Sequence, residues 1–239
     1  MIEVLATKAE VAARAADLFV EEARSVLAGA APFFSVALAG GTTFAEAYRL
    51  LASAPRREAV DWARVHIFFG DERCVPEGHA DRNDRAAREA LLDHVPIPFD
   101  NVHTIAATSA DAAGGYESGL RAALGASVAA VPRLDLILLG MGPDGHTASL
   151  FPDHAALRAN ERLVVRIAGA PKPPPERITF TLPLLNAARC LVFAATGADK
   201  RQAAARAIAG DESVPAGRVR PSQGRLIWLL DEAAGGGLR

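Results

Sequence analysis

A histidine and an aspartate lie two residues apart in a glycine-rich segment, Gly140 to Pro152, which reads GMGPDGHTASLFP. An imidazole has an unperturbed pKa near neutrality, so His146 has the chemistry of a general base. The carboxylate of Asp144 could orient that ring or a water molecule. The chain has no G-x-S-x-G nucleophile elbow, so the sequence does not point to a serine hydrolase.

The glycines of the same segment also satisfy G-x-G-x-x-G, the dinucleotide fingerprint. Three features argue against that interpretation. Pro143 occupies the turn, Pro152 allows only a short helix after it, and the next apolar run, 163–167, does not end in the acidic residue that would bind a ribose. A dinucleotide oxidoreductase therefore stays an alternative, and we expect no cofactor.

A second segment has the composition of a phosphate-binding turn. An apolar run ending at Ala39 is followed by Gly40, Gly41, Thr42 and Thr43. Two glycines allow a close backbone approach, and two hydroxyls open a helix whose free amides and dipole favour an anion. A plain turn with a threonine cap is the alternative, since glycine pairs before helices are common.

Charged residues follow other apolar runs. Asp71 and Arg73 belong to the GDER sequence, which directly follows a predicted strand. Lys200 lies in the first turn of a predicted helix, where a cation is unfavourable unless an anion is nearby. Lys172 and Arg177 flank a proline-rich loop and add further positive charge. The alternative for each is a solvated surface side chain.

Composition excludes several classes of protein. The 239 residues carry 26 Lys+Arg and 28 Asp+Glu, so the overall balance shows no nucleic-acid or polybasic membrane signature. Two cysteines cannot form a cysteine-rich zinc site, and the six histidines show no paired metal-ligand spacing, so we expect no metal. No basic leader or apolar stretch long enough to span a membrane occurs, which predicts a cytoplasmic protein.

Apolar strands alternate with helical patterns along the chain. This alternation predicts a three-layer α/β/α, doubly wound, mainly parallel sheet, because both sheet faces must be covered. We expect one domain over residues 1–239, with the site beyond the carboxyl ends of the strands. A capping-box spacing at Thr7 and Glu10 predicts the first helix. The predicted strands are 33–39, 65–69, 134–139, 190–195 and 225–230.

The chain resembles the 6-phosphogluconolactonase family over nearly its whole length. The order, spacing and residue identities that carry the resemblance are those of the glycine-hydroxyl turn, GDER, DLILLGMGPDGHTASLFP, PPPERITFT and ATGADK. The resemblance implies a cofactor-independent hydrolase that opens 6-phosphoglucono-1,5-lactone to 6-phosphogluconate in the oxidative pentose phosphate pathway. It also implies a Rossmann-like fold shared with glucosamine-6-phosphate deaminase and ribose-5-phosphate isomerase. The expected partner is this small sugar-phosphate lactone, for a monomer or weak homodimer.

The resemblance further implies roles for individual residues. His146 would activate water, with Asp144 and Asp71 as neighbouring polar groups. The phosphate end of the substrate would be served by Gly41, Thr42, Thr43, Arg73 and Lys200. The other substrate-binding candidates are Gly40, Gly142, Lys172 and Arg177.

Two departures from the family pattern concern this site. The usual Ser-Gly-Gly-Ser-Thr-Pro is here Ala39 to Phe44, in which Thr42 keeps the hydroxyl. Arg82 replaces the usual serine, and this larger side chain bears on whether its loop approaches the substrate in the usual way.

The related deaminases carry Asn-Glu where this chain has Leu150 and Phe151, so the carboxylate that assists sugar-ring opening is missing. A lactonase is preferred, and the alternatives are an isomerase or deaminase of the same fold and a sugar-phosphate-binding domain without turnover.

Overall fold

The computed structural model describes residues 1–238, in which nine strands form two sheets. The larger sheet has the order β1-β9-β8-β5-β2-β3, and all its neighbouring strands are parallel. The strands are β1 (Ile2–Leu5), β2 (Phe34–Leu38), β3 (Val65–Phe69), β4 (Asp71–Arg73), β5 (Leu136–Gly140), β6 (Val164–Ile167), β7 (Arg177–Phe180), β8 (Cys190–Ala195) and β9 (Arg225–Asp231).

Helices cover this sheet, as its apolar strands require. Every residue of β2 and β8 is buried, so neither face of the sheet centre can remain in water. Right-handed crossovers place α1 and α2 on one face, and the reversed direction of β8–α6–β9 places α6 on the other. The α-helices are α1 (Lys8–Leu27), α2 (Thr42–Leu51), α3 (Asn83–Ala90), α4 (Ala112–Ala123), α5 (Leu182–Ala187), α6 (Arg201–Ala209) and α7 (Glu232–Gly235).

The first helix begins as its sequence predicts. The side chain of Thr7 accepts a hydrogen bond from the amide of Glu10 at 3.2 Å, and the Glu10 carboxylate accepts one from the amide of Ala6 at 3.1 Å. This reciprocal capping satisfies two amides at the start of α1. The buried face of α1 then packs against α2 and the sheet.

The strand order reverses between β2 and β5. From β2 the chain moves outward to β3, and β5 then returns to the opposite side of β2. The connections after β2 and β5 therefore leave the sheet in different directions and open a crevice between them. Gly40, which follows β2, and Gly140, the last residue of β5, lie together at this crevice, because a Cβ added to Gly140 would lie 3.9 Å from the carbonyl oxygen of Gly40.

A second, antiparallel sheet of order β4-β7-β6 extends from the end of β3. It is joined to β3 at Gly70, whose carbonyl accepts a hydrogen bond from the amide of Phe180 at 2.8 Å. The sequence did not predict this sheet. Strand β4 has only three residues, all charged, and β7 follows a proline-rich loop, so neither shows an apolar run. The prediction of a mainly parallel sheet flanked by helices is confirmed.

Candidate active site

The predicted histidine and aspartate form a hydrogen-bonded pair in a tight turn after β5. The Nδ1 atom of His146 lies 2.5 Å from Oδ1 of Asp144. The turn is closed by backbone bonds of 2.9 Å from the amide of Gly142 to the carbonyl of His146 and from the amide of Gly145 to the carbonyl of Gly142. The pair is therefore fixed by the backbone of its own loop.

Glycine is required at two positions of this turn. A Cβ on Gly142 would lie 2.1 Å from Nδ1 of His146, so the pair can fold over this residue only because it has no side chain. Gly145 has a φ of 78°, in the left-handed region, and a Cβ there would lie 1.9 Å from the side chain of Val214. Gly142 thus gives space to the pair and is not among the residues that line the adjacent cavity.

The surroundings of the pair favour a neutral imidazole. Burial, the strongest influence, lowers the pKa of His146, although the hydrogen bond and charge of Asp144 act in the opposite direction. Burial acts to raise the pKa of Asp144, but the hydrogen bond and charge of His146 with the charge of Lys172 outweigh it, so this pKa is lowered. The ionised carboxylate can only accept the Nδ1 proton, which leaves Nε2 as the nitrogen able to take up a proton.

Asp71 follows β3 and brings a second carboxylate to the cavity that His146 lines. Its Oδ2 accepts a hydrogen bond of 2.6 Å from the hydroxyl of Ser149, and its Oδ1 accepts one of 3.1 Å from the side-chain amide of Asn83. These two partners fix the carboxylate, although sequence reasoning did not select them. Asn83 directly follows Arg82, and Ser149 lies within the GMGPDGHTASLFP segment.

Two guanidinium groups face each other beside this carboxylate. Arg73 and Arg177 are paired across β4 and β7, and both line the cavity of His146. Arg177 is held by hydrogen bonds to Ser149 and to the carbonyls of Lys172 and Pro174. Burial, followed by the charge of Arg73, lowers the pKa of Arg177. The Nε atom of Arg73, which lies beside this cavity in the chain's own packing, is buried without a hydrogen-bond partner.

The predicted phosphate-binding turn lies beside this cavity. Gly41, with a φ of 101°, is the N-cap of α2 and supplies no side-chain cap, so the threonine-cap alternative is wrong. Thr42 and Thr43 instead line a second cavity with Lys200 and Thr196. The hydroxyls of Thr43 and Thr196 are 3.1 Å apart. Free amides, hydroxyls and an ammonium group together form a site suited to a phosphate.

The two cavities form one cleft at the crevice between β2 and β5. They measure about 190 and 200 Å³ and share Gly40, Gly41, Gly140 and Met141. One end carries His146, Asp71 and the two arginines, whereas the other carries Lys200 and the threonine hydroxyls. The structure thus separates Arg73 from Lys200, although the resemblance had grouped both at the phosphate end.

Two other residues singled out in the sequence, Lys172 and Arg82, do not line either cavity. Lys172 is half-exposed, with Nζ 4.0 Å from Oδ1 of Asp144, so its charge acts on the histidine–aspartate pair. Arg82 points away from the cleft and is buried, where it binds both oxygens of Asp84 at 2.7 Å. The loop that contains Arg82 still delivers Asn83 to Asp71.

Within residues 1–238, no group of three or more histidine, cysteine, aspartate or glutamate side chains is arranged to hold a metal ion. None of the helices in the same range is long and apolar enough to cross a membrane.

Comparisons with known proteins show which sequences and structures this chain is similar to. A family model described as glucosamine-6-phosphate isomerases/6-phosphogluconolactonase matches residues 6–228. The 6-phosphogluconolactonase of Streptomyces coelicolor is 44% identical over 214 residues, which cover 84% of this chain and 80% of that protein. Human 6-phosphogluconolactonase is 42% identical over 240 residues, which cover 98% of this chain and 92% of that protein. The structure of the Trypanosoma brucei 6-phosphogluconolactonase superposes with a TM-score of 0.86 at 29% identity, covering 100% and 98% of the chains.

Proposed function

Because the chain belongs to the glucosamine-6-phosphate isomerase/6-phosphogluconolactonase family, we infer that it hydrolyses 6-phosphoglucono-1,5-lactone to 6-phosphogluconate, the second step of the oxidative pentose phosphate pathway. The observation that carries this inference is the cleft itself. It joins a neutral histidine, held by a carboxylate, to a separate cavity suited to a phosphate.

We propose that Nε2 of His146 takes a proton from a water molecule as that water attacks C1 of the lactone. The carbonyl becomes a tetrahedral oxyanion, and the bond from C1 to the ring oxygen then breaks. The imidazolium returns the proton to the leaving ring oxygen, which becomes a hydroxyl, and the new carboxylic acid ionises. Asp144 stabilises the imidazolium during these steps through its bond to Nδ1.

We assign the guanidinium groups to negative oxygens of the substrate and of the tetrahedral intermediate. Arg73 offers a buried N–H without a partner, and Arg177 is already fixed by its carbonyl acceptors. A donor that is oriented before the reaction stabilises developing charge without reorganisation. Asp71, next to these arginines, limits the positive charge and supplies an acceptor for substrate hydroxyls.

At the other end of the cleft, Lys200, Thr42, Thr43 and the backbone at Gly40 and Gly41 bind the phosphate in this proposal. The phosphate is remote from C1, so its binding energy positions the ring and does not enter the chemical step.

Residues beside the histidine favour a lactonase over an isomerase or deaminase. Leu150 and Phe151 are fully buried and apolar, and the Phe151 ring lies 4.7 Å from the His146 ring between centroids. Ring opening of an amino sugar needs a carboxylate to relay a proton, and these side chains cannot supply one. Lactone hydrolysis needs only water, a base and oxyanion stabilisation.

The test is initial-rate hydrolysis of freshly generated 6-phosphogluconolactone, corrected for spontaneous opening. We expect wild-type acceleration and a loss of roughly 10²–10⁴ in kcat for His146→Ala. His94→Ala is the matched control, because His94 is exposed and lies outside the cleft. Acceleration that survives in folded His146→Ala would move the base elsewhere. No acceleration by the wild type would favour a binding-only domain.

We further propose that the enzyme is a single domain that acts in the cytoplasm as a monomer or weak homodimer. In this proposal its partner is the small-molecule lactone, and the protein binds neither nucleic acid nor a membrane. The predicted domain, 1–239, ends at Arg239, which lies outside the described residues. Sedimentation at several protein concentrations measures the oligomeric state.

A further inference from the structure

Lysine is rare in this chain, and every lysine lies at the cleft. Only three of the 26 basic residues are lysine, and the others are arginine. Lys200 lines the phosphate-side cavity, and Lys172 approaches Asp144 to 4.0 Å. The third, Lys8, donates a hydrogen bond of 2.8 Å from Nζ to the hydroxyl oxygen of Thr42. Lysine side chains, each with a compact ammonium group and three rotatable donors, thus occur only around the cleft, and Lys8 is one of them.

Lys8 reaches the cleft because parallel strands and their following helices share an edge. It is the first residue of α1, just as Thr42 is the first residue of α2. Both helices begin at the carboxyl edge of the sheet, so the side chain of Lys8 extends from one helix start to the other. A cation in the first turn of a helix opposes the helix dipole unless an anion is nearby.

The partners of the two lysines differ. Nζ of Lys200 lies 3.0 Å from a carboxylate oxygen of Asp199, whereas the contact of Lys8 is with a neutral hydroxyl. Since the Thr42 oxygen accepts from the ammonium, its own proton points elsewhere and is available to donate. Thr42 lines the cavity that contains Lys200. This geometry gives an anion in that cavity a hydroxyl donor backed by a positive charge.

We propose that Lys8 is a specificity-determining residue for the substrate phosphate: it orients the Thr42 hydroxyl as a donor to a phosphate oxygen and adds a positive charge behind it. The proposal rests on the phosphate location given under the proposed function. Lys8 is a positioning residue, since its effect passes through Thr42. Its contribution is to binding of the phosphorylated substrate and not to the reaction at C1.

Calorimetric binding of 6-phosphogluconate and of inorganic phosphate tests the proposal without turnover. We expect Lys8→Met to weaken both about tenfold, the loss typical of a charge-assisted hydrogen bond. Lys8→Arg should recover part of the affinity. Arg24→Met is the matched control, because it removes a positive charge from the exposed last turn of the same helix. Affinity of Lys8→Met equal to that of wild type would overturn the proposal.

A double variant tests the route through Thr42. If Lys8 acts by orienting this hydroxyl, Lys8→Met should cost clearly less in a Thr42→Val background than in the wild type, because only the effect of its charge then remains. Fully additive losses would overturn that route. In the lactone assay, KM for the phosphorylated substrate should rise about tenfold for Lys8→Met, with kcat within about twofold of wild type. Phosphate binding that depends on Lys8 in a protein without lactonase activity would reject the proposed function alone.

Discussion

In the proposed mechanism, the tautomer of one histidine decides whether this cleft can activate water. Asp144 accepts the Nδ1 proton of His146, so the neutral ring presents an unprotonated Nε2. Gly142 permits this contact, because any Cβ at that position would overlap the imidazole. The chemistry of the site thus depends on a missing side chain as much as on the reactive one.

The lowered pKa of His146 predicts the pH dependence of the reaction. The proposed base is active when neutral, so kcat/KM should fall as the pH drops through the His146 pKa. Burial lowers this pKa, so the acidic limb should lie below the value of about 6.5 for a free histidine. A rate profile from pH 5 to 8, corrected for spontaneous opening, measures the limb. A limb clearly above pH 6.5 would contradict the assignment.

Asp144→Asn is the companion variant for this profile. The carboxylate raises the pKa of His146, so its removal should move the acidic limb to still lower pH. The rate at the plateau should fall as well, by roughly 10²-fold or more, because the amide no longer fixes the tautomer or stabilises the imidazolium. A plateau rate equal to that of wild type would show that Asp144 has no part in the reaction.

At the same scale, the residues with distinctive chemistry could be predicted and their supports could not. His146 and Asp144 were selected because acid–base side chains stand between glycines at a strand end. Ser149 and Asn83, which hold Asp71, are common polar residues whose spacing to it is not fixed along the chain. Lys8 lies 34 residues before Thr42, and only the parallel packing of two helix starts joins them.

Among the elements, α3 begins over a buried group of charges. The Glu72 carboxylate accepts from the amides of Asn83 at 2.8 Å and Asp84 at 3.0 Å, and so caps the helix. Burial raises the pKa of Glu72 to about 7, against these amides and the charge of Arg82. The cap holds Asn83 against Asp71, which links the start of α3 to the candidate active site.

Arg82 balances this group, so its removal should destabilise the protein. Arg82→Met leaves Asp84 without its bidentate partner and Glu72 without a neighbouring cation. We expect a loss of about 3 kcal/mol in the free energy of unfolding, typical of a broken buried ion pair. Urea unfolding measures it. Arg85→Met on the same helix is the control, since its exposed pair with Glu89 should contribute less than about 1 kcal/mol. Equal losses would contradict a buried role for Arg82.

The elements differ in how far the sequence reveals them. Strands β2, β3, β5, β8 and β9 were predicted because parallel strands buried on both faces are continuous apolar runs. The antiparallel sheet was not, because pairing to neighbours holds β4 in place and its own residues, Asp71 to Arg73, are all charged. The N-terminal half of α4 contains two adjacent glycines, which weaken its helical pattern.

For the whole molecule, the charge of the cleft opposes the net charge. The chain carries a formal charge of -2, yet Arg73, Arg177 and three lysines surround one cleft. We therefore expect kcat/KM for the phosphorylated lactone to fall severalfold between about 20 and 300 mM salt, as screening weakens the attraction. The rate with unphosphorylated gluconolactone should change little. Equal salt effects on both substrates would contradict a local field acting on the phosphate.

The placement of the lysines also determines where reagents directed at amines modify the protein. Reagents that acylate or cross-link primary amines find side-chain targets only at Lys8, Lys172 and Lys200, all at the cleft. Coupling to an activated surface through these groups would turn the cleft toward the support and block it. Attachment through a cysteine introduced in the exposed last turn of α1, at the end of the helix opposite Lys8, would leave the substrate path open.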